Sequence, residues 1–185
     1  MTLADNALTT PDEVRNRLSI NEGEFDNAII RAINVASDRI ERMCRRSFAL
    51  QEHVYRVRES TSTVFLPNLP VVEIISINDE PATDVEFDAE TGMVQKWFCT
   101  GGVIRYRAGY VLPKDETDAN KRTLPYDIEE ACIRLASHMV SGWLQGTEGG
   151  KVKIGDFSTE LEPHQEASVL DEVKSLLEPY RMIHI

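Results

Sequence analysis

Nowhere in this 185-residue chain does an apolar run approach the ~18 residues that a membrane-spanning helix requires, so an integral membrane protein is not expected. Cysteine is scarce. Cys44, Cys99 and Cys132 make an odd count with no C-x-x-C spacing, which points to reduced, mostly buried thiols rather than a disulfide framework or a zinc site. The opening residues, MTLADNALTTPDE, have neither a basic n-region nor an apolar h-region, so no secretory signal is read there and folding in a cytoplasm is expected. Positive charge is also short, with 20 Lys and Arg against 31 Asp and Glu and a net charge of −11. That balance argues against gripping nucleic acid through the whole surface, because neutralising phosphates takes a basic face. A local basic patch stays open. Internal repeats and low-complexity tracts are absent, and the length suits one domain with a sizeable insertion.

Signatures of chemistry are equally thin. His53, His138, His164 and His184 are scattered, with no H-E-x-x-H and no metal-ligand spacing; a helix-packing role is expected for His138. No G-x-S-x-G elbow occurs, although a dispersed Ser/His/Asp triad is not readable from sequence. The run Gly146-Thr147-Glu148-Gly149-Gly150-Lys151 is one residue short of a phosphate loop. Val152 stands where Ser or Thr would hold magnesium, and a helix precedes it rather than a strand, so a flexible loop is the reading. No catalytic residue, cofactor or metal site is assigned, and the chain is not expected to be an enzyme.

What is present is periodicity. In residues 24–46, Phe25, Ala28, Ile29, Ala32, Ile33, Ala36, Ile40 and Met43 recur at three- and four-residue steps, one stripe of a long helix. Full burial of its larger side chains is worth on the order of 10 kcal/mol. Ahead of it, Thr10-Pro11-Asp12-Glu13 reads as a capping box opening a short helix to about Leu18, and Asn21 with Glu24 repeats the spacing at the start of the long helix. From residue 47 to 112 the period falls to two, in strands near 50–58, 63–66, 71–77, 85–87, 93–98 and 103–107, separated by turns at 67–70, 78–81 and 88–92. Residues 114–122 read as a solvated linker.

The helical period returns in residues 123–145, where Ile128, Ala131, Cys132, Leu135, Ala136, Met139 and Trp143 share a face that suits the long stripe as partner. Residues 146–165 form an extended arm, and a last helix in 166–182 carries Val169, Leu170, Val173, Leu176 and Leu177, with Pro179 at its end. The fold class is α+β: a bundle of about four helices with an inserted small antiparallel β-sheet or half-barrel and an extended arm before the last helix. The whole, 1–185, reads as one domain, with helices in 1–46.

Several residues do not fit the stripes. Ile30 lies away from the main face of the long helix, and Ile133, Val140 and Leu144 form a second, nearly opposed edge on the 123–145 helix; such edges are either central to a core or part of an interface. Arg39, Arg42, Arg45 and Arg46 gather at the C-terminal end of the long helix. There they suit the helix dipole and i,i+4 pairs such as Asp38 with Arg42 and Glu41 with Arg45, or a phosphate backbone, or the acidic side chains of a partner.

In order along the chain, LTTPDEVRNRLSI, EFDNAIIRAINVASDRIERMCRRSF, NLPVVEIISI, VIRYRAGY, LPYDIEEACIRLASHMVSGW, KVKIGDFSTEL and LLEPYR resemble the head-tail connector (adaptor, head-completion) proteins of tailed bacteriophages. The pair RYRAGY and LP-x-DI-x-x-A is the most specific. A longer charged linker before Leu124 and a glycine-rich lead into Lys151 depart from the pattern. The resemblance implies a structural virion protein of the neck, assembled in the host cytoplasm, that forms a head-to-tail ring of ~12 copies beneath the portal. It further implies that the ring extends the DNA channel, presents a platform to a stopper or tail-completion protein, and lets DNA pass without specific binding. An acidic wall suits such transit. Portal and neighbour contacts are implied at Val152, Ile154, Gly155 and Phe157 in the arm and at Leu177, Tyr180 and Met182 near the end. Ile30, Arg39, Arg42, Arg45, Arg46, Ile133, Val140 and Leu144 are the inter-subunit candidates. The rival reading is a DNA-binding module using the first two helices as a helix-turn-helix. An enzyme would need a pocket of converging polar groups.

Overall fold

The computed structural model describes residues 1–23, 25–145 and 163–182, with side-chain surroundings not described for 145 and 163–167. The chain divides into a helical unit, Met1–Arg45 with Leu124–Ile185, and a β unit, Arg46–Thr123.

In the helical unit, α1 (Pro11–Leu18) begins at the expected proline, but the Thr10 side chain makes no cap hydrogen bond. It ends on Ser19 in the left-handed region (φ 55°), whose N–H reaches back to the carbonyls of Arg15 and Asn16. The start of the long helix differs from the sequence reading. Asn21 does not cap it: the chain turns at Glu22–Gly23, and α2 (Asp26–Cys44) opens behind Phe25, which takes a left-handed conformation (φ 58°) and is exposed rather than part of the stripe. Asp26 at the first position accepts from the Arg15 guanidinium (2.8 and 3.2 Å), which anchors the α1–α2 turn.

The buried stripe of α2 is Ile29, Ala32, Ile33, Ala36, Ser37, Ile40 and Cys44. Beside it runs a polar row at the same spacing, and that row holds the N-terminal segment in place. Ala4 N–H donates to Asn34 Oδ1 (2.9 Å), Leu8 N–H to Ser37 Oγ (3.0 Å), and Asn6 Nδ2 to Asp38 (2.9 Å) and Glu41 (2.8 Å). Ala7, Leu8 and Thr9 are fully buried as a result.

The expected partner, α3 (Tyr126–Gln145), packs against α2, and also against α1 and α4 (Pro163–Leu177). Contact on several sides explains why α3 is apolar on more than one face. The last helix starts at Pro163, earlier than 166, and runs into a 3₁₀ turn at Glu178–Tyr180 where Pro179 sits. Arg17, Glu130, Arg134 and Glu172 form a line of ion pairs across α1, α3 and α4. Being solvent-facing, each pair contributes at most ~1 kcal/mol.

The β unit contains seven strands: β1 (Gln51–Val57), β2 (Thr61–Phe65), β3 (Val71–Ile77), β4 (Glu80–Pro81), β5 (Glu86–Phe87), β6 (Met93–Phe98) and β7 (Gly102–Ala108). They form two antiparallel sheets, ordered β1-β7-β3-β4 and β2-β6-β5. Both sheets feed one apolar core that includes Val64, Ile74, Ile77, Val94, Phe98, Ile104 and Tyr106. The turn read at 78–81 is a two-residue hairpin: Asn78 and Asp79 both have positive φ (55° and 65°), and Glu80–Pro81 pairs back on Ile77 and Ser76 as β4. Residues 114–122 are largely exposed, as a solvated linker would be, and belong with this unit. The chain returns to β7's exit, with Thr123 N–H donating to Val111 O (3.1 Å) and Val111 N–H to Thr123 Oγ1 (2.9 Å).

Candidate assembly interface

Among the described residues no three His, Cys, Asp or Glu side chains stand close enough to hold a metal ion. The most concentrated polar group in the β unit is Asn68, whose Nδ2 contacts Tyr106 Oη (3.2 Å) and His53 Nδ1 (3.2 Å). The His53 ring lies 5.4 Å from that of Tyr106. Burial lowers the pKa of His53 and raises that of Tyr106. Each effect favours the neutral form, as structural packing does.

The arginine group separates. Arg39, Arg42 and Arg45 are exposed, and Arg45 closes α2 in a left-handed conformation (φ 56°), its N–H on Glu41 O. Their expected pairing partners Asp38 and Glu41 are engaged by Asn6. Arg46 belongs to the β unit: its guanidinium donates to Leu69 O and lies 5.1 Å from the Phe48 ring. On α1, Arg15 is taken by Asp12 and Asp26, and Arg17 by Glu130.

Among the apolar candidates, Ile30 and Leu144 are half-buried at the surface of α2 and α3. Ile133 and Val140 are buried within the folded chain, so the second edge of α3 is core and not free surface. Leu177 is likewise fully buried, because α4 lays it into the helical unit. Tyr180 and Met182 are half-buried, and Met182 N–H donates to Cys44 O (3.0 Å), pinning the tail to the end of α2. Val152, Ile154, Gly155 and Phe157 lie outside the described residues, as does the glycine loop before them.

Sequence reasoning missed the exposed apolar surface. Phe65 and Trp97 on the three-stranded sheet are 63% and 64% exposed, and Val54 and Val72 stand out from the four-stranded one. On the helical unit, Trp143, which the periodicity places on the buried face, is partly exposed, with the Arg31 guanidinium 5.6 Å from its ring. Alternation assigns these residues to strands and helices without saying which face another molecule covers. Large exposed aromatics are enriched where partners bind, so the exposure of Phe65 and Trp97 is the signal.

No family model matches the chain, and no curated protein matches it. Among solved structures, a chain in the neck of the empty GTA particle, computed with C6 symmetry, aligns over 100% of this chain and 95% of its own length, at 16% identity and a TM-score of 0.59. The neck of the native GTA particle, computed with C12 symmetry, aligns over 100% and 94%, at 15% identity and the same TM-score. The chain has the fold of these neck chains. The α+β architecture expected from sequence is therefore found both in the structure and in its likeness to solved structures. The neck-chain fold spans helical and β units alike, because the alignment leaves no part of this chain out. At such identity the shared property is the arrangement of elements, not particular side chains.

Proposed function

We propose that this chain is a structural subunit of the neck of a phage-like particle, forming a head-to-tail ring at the portal. The observation that carries the reading is the end-to-end match to chains of the GTA neck, whose structures were computed with sixfold and twelvefold symmetry. Supporting it are the exposed aromatics of the β unit and the exposed Arg39, Arg42 and Arg45 at the end of α2, surfaces that a lone subunit leaves uncovered. In this reading the ring has about twelve copies, binds the portal, continues the DNA channel toward a stopper or tail-completion protein, and is resident in the virion. The chain acts by geometry and not by catalysis. With a net charge of −11, a ring wall carrying this surface attracts passing DNA little.

The neighbour-facing residues of this reading are Ile30, Leu144, Arg39, Arg42 and Arg45 on the helical unit; the arm residues Val152, Ile154, Gly155 and Phe157 are proposed to meet the portal. Deleting residues 146–162 is expected to abolish co-sedimentation with the portal while circular dichroism retains the helical signal. Unchanged co-sedimentation would reject the arm assignment. The rival helix-turn-helix reading would put Arg39, Arg42, Arg45 and Arg46 on phosphates; Arg46 is engaged by Leu69 O and the Phe48 ring, and a steep salt-dependent DNA affinity of the purified chain would favour that reading over the ring.

A further inference from the structure

The two sheets of the β unit end in unlike edges. β1 is the first strand of the four-stranded sheet and β2 the first of the three-stranded sheet; each pairs on one side only. Residues 58–60 join them, and a groove of about 1110 Å³ runs along the two strands, whose outer edges are unpaired among the described residues. Arg56, Arg58 and Arg105 line it against a single carboxylate, Glu59, with Val54 and Phe65 as apolar walls. Arg105 is partly occupied, 3.8 Å from Glu52 and 3.7 Å from Asp79. Arg56 and Arg58 are exposed and have no ion pair among the described residues. A basic groove is unexpected on a chain of net charge −11.

The opposite edges carry the opposite charge. β4 and β5 are the last strands of the same two sheets. Residues 80–90, EPATDVEFDAE, contain Glu80, Asp84, Glu86, Asp88 and Glu90 and no basic residue. All five are exposed, and Phe87 beside them is partly exposed. The four-stranded sheet thus carries Arg56 on its β1 edge, with Arg58 just beyond, while β2, the first strand of the other sheet, is uncharged and both far edges are acidic, so the β unit presents unlike faces of the kind that a heterologous contact between identical subunits needs.

We infer that the β1/β2 groove of one copy receives the β4–β5 edge of a second copy of this chain. Arg56 and Arg58 meet the carboxylates of residues 84–88, Phe65 and Phe87 are covered, and strand edges that would otherwise invite uncontrolled pairing are closed. The inference rests on the ring reading and specifies one of its contacts.

The test uses the full chain with two charge reversals, R56E/R58E in the groove and D84R/E86R on the edge, and reads self-association by sedimentation equilibrium, alone and with the portal. These side chains are exposed, so the thermal midpoint is expected to stay near wild type. Each variant alone is expected to weaken self-association by at least about tenfold. An equimolar mixture of the two is expected to recover it, since the acidified groove of one then faces the basic edge of the other. Variants that assemble like wild type overturn the groove contact and leave the ring standing. Variants that assemble normally but no longer bind the portal assign the groove to the portal, and also overturn it. A wild-type chain that stays monomeric with and without the portal overturns the ring and this contact together.

Discussion

At the level of single residues, Ser37 shows what hydrophobic periodicity cannot report. It lies on the buried stripe of α2, accepts the Leu8 N–H and approaches Cys132 Sγ at 3.5 Å. As a small polar residue it drops out of an apolar count, although it ties the N-terminal segment to the core. Ser37→Ala leaves that buried N–H unsatisfied and is expected to cost about 1–3 kcal/mol in urea denaturation. The cysteines divide by burial. Burial pushes the Cys132 thiol up to about 12, and Cys44 is also buried, whereas Cys99 is exposed beside Trp97 Nε1 at 3.0 Å. The sequence reading of mostly buried thiols holds for Cys44 and Cys132, and Cys99 departs from it. A thiol reagent at pH 8 is expected to label Cys99 alone within minutes, and all three cysteines after unfolding; fast labelling of Cys132 would contradict the packing. His53 adds a pH dependence. Its folded pKa lies below the ordinary 6.5, so the unfolded chain takes the proton first as pH falls. Its share of stability is complete above about pH 6.5 and diminishes below it. His53→Gln is expected to flatten that part of the stability profile, measured as denaturation midpoint between pH 7 and 5.

Among the elements, β3 and β6 were legible in full and α1 to the residue, because their patterns are bounded by turn or proline signals. The start of α2 was not. Asn21 and Glu24 offered a capping pattern, but the Arg15–Asp26 contact sets the turn, and such a tertiary contact leaves no periodic trace. β4 was missed because two residues cannot show a period. Alternation in β3 is broken by register shifts on both sides of Ile74, which bury Val71, Ile74 and Ile77 at every third position. The RYRAGY stretch acquires a physical reason. Gly109 has φ +114°, a Cβ there would sit 2.4 Å from Ala49 O, and its own N–H donates to Pro70 O at 3.0 Å. Gly109→Ala is expected to lower β-unit stability by about 1–3 kcal/mol, measured by hydrogen exchange of β7 amides. The α3 helix shows the reverse case. Its double apolar edge was visible, but whether a helix of the same chain or a neighbour covers it depends on where α4 packs. The structure buries Ile133 and Val140 internally, so substitutions there act on folding.

For the whole molecule, α+β architecture with an inserted β unit was readable from the change of period, and the order of motifs suggested the neck-protein resemblance. The surfaces were not readable, because exposure of Phe65, Trp97 and Trp143 and the opposed edges of the sheets arise only when strands distant in sequence are laid side by side. Assembly properties belong to this scale: a subunit with unlike, complementary faces closes into a ring when the repeated rotation returns to its start, and extends into a filament when it does not. The most direct measurement is electron microscopy of the purified chain, alone and mixed with the portal of the same particle. The account predicts closed rings of about twelve subunits seated on the portal. A chain that remains monomeric and leaves the portal bare would contradict it.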